Sequence, residues 1–311
     1  MKQEDSMEPL APQRKTRSLI IFFLIANLWT WLLWVPTLLS ALRKGWLMPS
    51  PDNYGRLAEG GFFGPQHLLL AFLFSIAVYG PLLGAIIATA YERGGQGVRA
   101  LLANTFNPRI APRWYLIALV IAAALAYIPV LLAWLTGSLG QPAVELGLRL
   151  TLFIPILILQ LLTSGLGEEP GWRGFLLPRL QERFRPVKTV WLLGLAWAVW
   201  HYPLTAIYTL QSVPADAPAP AGVISVIIAL LMQTLGVIGL TYIYVWLYNR
   251  TNSIFLMIFF HALTNTLPFL VPLAGGPWAF LAVIFPWIIV LALRMVSGRG
   301  DFLRNPVAER G

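Results

Sequence analysis

The chain has 311 residues, of which 58% are hydrophobic and 11% charged, with a mean hydropathy of +0.70 and a net charge of +9. An ordinary soluble domain carries about 45–50% apolar and about 25% charged residues, so a soluble globule is excluded; the absence of Cys excludes a disulfide framework, a thiolate metal site and a cysteine nucleophile. The Lys and Arg residues are spread over short segments between apolar runs, the pattern of topology signals facing anionic lipid, and nucleic acid is not an expected partner.

Apolar segments fall at 19–42, 67–91, 113–136, 147–168 and beyond, 188–208, 222–248, 253–272 and 278–296. Each is near the roughly 20 residues that cross a bilayer as helix. The predicted fold is all-α, a polytopic integral membrane protein of about eight transmembrane helices. A cytoplasmic tail over 1–18 precedes a helical domain over 19–296, whose catalytic core lies at about 147–272, and a second tail follows at 297–311. The first segment is too long for a signal-peptide core and lacks a small-residue cleavage site, so it reads as a retained span. Val213 to Ala221, rich in small residues and Pro, reads as an irregular loop.

Counting basic residues by connection sets the orientation. The N-terminal tail, the second, fourth and sixth connections and the C-terminus hold 18 of the 22 Lys and Arg residues, whereas the alternate connections hold only Arg43, Lys44, Arg56 and Arg149. The positive-inside rule then places both termini in the cytoplasm. No internal repeat is visible, which argues against an inverted-repeat transporter.

Of 13 carboxylates, Glu168 and Glu169 stand out at the end of an otherwise uncharged run beginning near Leu150. An ionisable group at membrane depth costs from about 2.5 kcal/mol upward and marks a functional site with a partner. Arg173, four residues after Glu169, lies on the same helical face and makes a structural ion pair with it. Glu168, turned about 100° away, is left free for chemistry. Pro170 cannot donate to the carbonyl of Leu166, and with Gly171 it loosens the helix.

The chain has three histidines. His201 follows Trp197 by one turn, and Asn265 follows His261 by one turn, so each pair shares a face. His67 reads as an interhelical hydrogen-bonding residue. Glu168 lies 11 residues before Arg179, His201 13 after Lys188 and His261 11 after Arg250. At 1.5 Å per residue these are about 16, 20 and 16 Å from the surface that carries those cations. The shared depth points to a single water-filled site near mid-membrane, open to the cytoplasm, with Asn265 a turn deeper. A carboxylate, two imidazoles and an amide suit water-mediated hydrolysis, because a carboxylate and a His can activate water while neutral donors hold an oxyanion. Proton-coupled transport and a non-catalytic immunity or scaffold role remain open at this point.

The run Glu168-Glu169-Pro-Gly-Trp-Arg173, then Trp197 four before His201, then His261-Ala-Leu-Thr-Asn265, resembles the three signatures of the CPBP intramembrane proteases, the family of CAAX prenyl endopeptidases and bacterial bacteriocin-processing and immunity proteins. The family's pattern has Phe where this chain has Trp197. The resemblance implies an endopeptidase in which Glu168 and His201 activate water, His261 and Asn265 stabilise the oxyanion, and Glu169 and Arg173 orient the helix and tune the site. It also implies a peptide or protein substrate, lipid-modified in the CAAX case, within a prokaryotic plasma membrane. Glu168, His201 and His261 are the ligands it implies if zinc is bound, although the family also includes enzymes understood to use a glutamate-activated water without an obligatory metal.

Overall fold

The computed structural model describes residues 12–51, 53–136, 146–214, 216–271, 279–298 and 302–304, and all regular structure among them is helical. The ends of the two expected tails, with Lys2, Arg299 and Arg310, lie outside the described residues. The helices are α1 (Pro12–Lys44), α2 (Tyr54–Gly60), α3 (Pro65–Ala77), α4 (Gly80–Thr105) and α5 (Arg113–Leu135). They continue with α6 (Leu146–Gln181), α7 (Pro186–Ser212), α8 (Ala219–Thr251), α9 (Ile254–Leu270) and α10 (Ala279–Ser297).

All the expected apolar segments are helical, but they are not alike. Six helices, α1, α5, α6, α7, α8 and α10, are each long and apolar enough to cross a membrane, and α3 with α4 forms a seventh span bent by 44°. The remaining one, α9, has 17 residues, about 25 Å of helix at 1.5 Å per residue. It can be short because Leu256, Met257, Phe260 and Leu263 are buried among neighbouring helices, so it need not match the bilayer alone.

Hydrogen bonds tie the helices at two ends. At the end rich in Lys and Arg, Lys15 pairs with Glu182, Arg179 and Ser18 both donate to Glu92, and Gln181 donates to Asn249. At the opposite end Lys44 donates to Gln66, Arg149 donates to the Phe269 carbonyl, and Gln160 donates to the Tyr54 hydroxyl. His67 belongs to this second set. Its Nδ1 accepts from the Phe63 N–H at 3.1 Å, so Nε2 carries the proton and donates to the Leu47 carbonyl at 2.8 Å. Its role is structural, but its partners are the loop residues Phe63 and Leu47 rather than a second helix as expected, so it ties α3 to the loops at this end.

The central contact is α6 against the break between α3 and α4. A Cβ on Gly167 would stand 2.7 Å from the Val78 carbonyl oxygen, and one on Gly171 2.6 Å from that of Pro81. Only glycine admits this approach. It fixes the height and rotation of the intervening turn of α6, which carries both glutamates.

Candidate active site

Two stretches of α6 are wound as π-helix, Leu161–Gly165 and Pro170–Leu176. The second begins at the proline that has no N–H to return to the preceding turn. The first changes which residues share a face. In an unbroken α-helix, residues eight apart point about 80° away from each other; a π turn absorbs one residue and leaves about 20°. Gln160, Ser164 and Glu168 are thereby brought onto one cavity wall.

Glu169 and Arg173 are both fully buried. Arg173 Nη1 donates to Glu169 Oε1 at 2.8 Å, and the guanidinium lies 4.3 Å from the Trp197 ring centre and 3.9 Å from that of Tyr244. The expected ion pair is present. The same Glu169 oxygen also accepts from His261 Nδ1 at 2.7 Å, a bond that spans 92 residues and that the sequence does not disclose.

Glu168 is not free, as the sequence reading held. Trp197 Nε1 donates to Glu168 Oε2 at 2.7 Å, while Glu168 Oε1 stands 3.9 Å from His261 Nε2. Helical spacing showed that Trp197 and His201 share a face but not that the indole points across to α6. His201 Nδ1 donates to the Trp197 carbonyl one turn back at 2.9 Å, which commits that nitrogen and leaves Nε2 as the outward acceptor. Asn265 Nδ2 donates to Gln160 Oε1 at 2.8 Å, which uses one of its two N–H groups and leaves the other.

A cavity of about 270 Å³ joins Glu168, Trp197, His201, His261 and Asn265, while Glu169 and Arg173 support it from behind. Gln160, Tyr244 and Gln233 also line it. Sequence reading passed over these three, although Gln160, a lone amide eight residues before Glu168 in an apolar run, carried a signal. The cavity does not open where depth counting placed it. On the basic side Trp172, Phe175, Leu177, Leu247 and Met257 are fully buried and fill the space, whereas the lining continues to Pro49, Ser50, Pro51 and Tyr54 at the opposite end. Distance from a basic connection measures depth; it carries nothing about which side large side chains have sealed.

The zinc set implied by resemblance does not fit this arrangement. Among the described residues no group of three or more His, Cys, Asp or Glu side chains is disposed to hold a metal ion.

Helices α6 to α9 carry every residue of the cluster, and this is where the chain matches known proteins. Residues 150–267 match the family described as type II CAAX prenyl endopeptidase, Rce1-like. The chain is also similar to CAAX prenyl protease 2 of Methanococcus maripaludis, at 41% identity over 69 residues, or 22% of this chain and 25% of that one. The chain thus spans about a quarter of the length of this curated relative. The family match covers α7 to α9 in the parts that line the cavity and α6 from Leu150 on; α1 with Trp34, α3 with Phe74 and Ser75, and the lining residues Pro49, Ser50, Pro51 and Tyr54 lie outside it.

Proposed function

We propose that this membrane protein is an intramembrane endopeptidase that hydrolyses a peptide bond with water activated by Glu168. The observation that carries the reading is one cavity shared by a buried carboxylate, an imidazole with an outward acceptor nitrogen, and two groups able to donate to an oxyanion. The match to endopeptidases over residues 150–267 supports it.

Water lies between Glu168 and the scissile carbonyl, held also by the lone pair of His201 Nε2. Glu168 takes a proton as oxygen attacks the carbonyl carbon, and the carbonyl oxygen becomes an anion. The free N–H of Asn265 donates to it. His261 donates from Nε2, which requires the imidazolium form because Nδ1–H is committed to Glu169, and that carboxylate compensates the charge. Glu168 then returns the proton to the leaving nitrogen as the C–N bond breaks. No step passes through a metal.

The substrate is a peptide or protein, and the names of the similar proteins make prenylated C-termini the first class to compare with unmodified peptides. The test is a mass-spectrometric cleavage screen of purified protein against a peptide library with and without C-terminal lipid, beside Glu168→Ala. New termini in the unaltered protein alone support hydrolysis, and none in either would overturn it.

Two substitutions separate the roles. Asn265→Ala removes a donor that matters only once charge develops, and turnover is expected to fall roughly 10²–10³-fold with little change in substrate affinity. Steady-state kinetics check this; a raised KM at constant kcat would make Asn265 a binding residue instead. Trp197→Phe keeps the ring between Arg173 and His261 but removes the donor to Glu168. A hydrogen bond to a charged group contributes about 1.5–3 kcal/mol, so turnover is expected to fall at least tenfold while folded yield holds. Unchanged turnover would remove Trp197 from the site.

A further inference from the structure

A second cavity lies at the basic end and shares none of its described lining residues with the candidate active site. Its volume is about 1330 Å³, above the roughly 300–1,000 Å³ of sites for drug-sized ligands. Four helices frame it: the end of α6 at Pro178 and Gln181, the start of α7 at Pro186 and Val187, and the parts of α8 and α10 that approach the basic end. Phe302 lies beside Tyr242 on its wall, with 6.3 Å between ring centres, and Asn249 holds that segment by donating to the Leu303 carbonyl at 2.9 Å.

The walls are layered along the helix axes. Trp191 of α7 and Trp287 of α10 meet at 6.4 Å between ring centres and join the two helices at the inner end. From there toward the basic end the wall is apolar, with Val290, Leu291 and Val187. Leu291 and Val187 are 59% and 56% exposed, so this wall is open sideways to the bilayer. The Trp287 N–H is already donated to the Leu235 carbonyl at 3.0 Å. At the outer rim stand Arg185, Arg294 and Arg304. Arg294 comes seven residues after Trp287, about 10 Å farther out at 1.5 Å per residue.

The rim has positive charge to spare. Among the described residues neither the Arg185 nor the Arg294 guanidinium makes a hydrogen bond or an ion pair. Glu182, the one carboxylate among the described lining residues, pairs with Lys15 at 2.7 Å, and Glu92 at the same end pairs with Arg179. Cations above an apolar trough that opens to lipid match an amphiphile with an anionic head and a hydrocarbon tail.

We propose that this cavity binds one anionic phospholipid, with its phosphate at the arginine rim and an acyl chain along Val187, Leu291 and Trp287. The lipid joins α10 to α7, the helix that carries Trp197 and His201, and braces the connection between α6 and α7. Binding needs no turnover, so this inference stands apart from the endopeptidase reading.

Purified, delipidated protein in an uncharged detergent is given dioleoylphosphatidylglycerol, dioleoylphosphatidylcholine or inorganic phosphate, and native mass spectrometry counts what each chain retains. One phosphatidylglycerol per chain is expected, retained at least tenfold better than phosphatidylcholine or phosphate. Retention of both lipids alike would overturn the site, and phosphate retained as well as phosphatidylglycerol would make the occupant a free anion and overturn the lipid. Combining Arg185→Gln with Arg294→Gln is expected to weaken phosphatidylglycerol retention at least tenfold. Arg99→Gln with Arg109→Gln, the same loss of charge at the same end but outside the cavity, should leave it unchanged. Equal loss in the two double variants would reduce the effect to diffuse attraction and overturn the proposal. All four arginines are exposed, so folded yield should hold, and the contrast between the two lipids in the unaltered protein decides the matter even if it does not.

Discussion

Arg173→Ala is expected to lose most of its folded yield and to melt well below the unaltered protein. Arg173 and Glu169 have no solvent exposure, and their 2.8 Å ion pair sits inside the bundle rather than at its rim. Removing one member of a fully buried pair leaves an uncompensated charge and costs about 3–5 kcal/mol, against total stabilities of about 5–15 kcal/mol. The guanidinium also occupies the gap between the Trp197 and Tyr244 rings, so the Ala variant loses packing as well as charge. Size-exclusion yield and a thermal melt in one detergent measure the effect. Glu168→Gln serves as the contrast, because its amide oxygen can still accept from Trp197. If Glu168→Gln lost its fold while Arg173→Ala kept it, the structural and chemical roles of the two glutamates would be interchanged.

Glu168→Gln is expected to bring turnover down nearly to background. General-base catalysis contributes about 10²–10⁴-fold, and among the described residues that line the cavity Glu168 is the one carboxylate, Glu169 lying behind it with Oε1 bonded to Arg173 and His261. Little ground-state contact is lost, so binding of a cleavable peptide should persist with a KM or Kd within a few-fold of the original. A variant that keeps its turnover but loses affinity would make Glu168 a binding residue. One that keeps both would place the chemistry elsewhere.

The parts of this site that lie on one helix were legible in the sequence. Glu169 with Arg173, Trp197 with His201 and His261 with Asn265 follow from spacings of four, and the common depth of Glu168, His201 and His261 follows from counting residues to the nearest cations. What crosses between helices was not legible. The bonds from Trp197 to Glu168 and from His261 to Glu169 depend on the rotation of α7 and α9 about their axes, and nothing in either helix alone sets that rotation. The π-helical turns of α6 were half-visible: Pro170 announces the second, whereas Leu161–Gly165 contains no proline. The opening of the cavity was misjudged because it depends on which end the large side chains fill. The broken span at Val78–Tyr79 and the short α9 were both read as ordinary spans, since apolar composition records neither a bend nor enclosure by neighbours.

The central claim is hydrolysis by a water that Glu168 activates without a metal ion. The most direct measurement is the peptide-cleavage rate of purified protein before and after exhaustive chelation, with metal content determined on the same samples. The expected result is an unchanged rate at metal levels far below one ion per chain, with Glu168→Gln inactive alongside. The contradicting result is stoichiometric zinc whose removal abolishes cleavage, whose return restores it, and which is missing from both His201→Ala and His261→Ala; the two imidazoles would then be ligands rather than a water-holding group and an oxyanion donor.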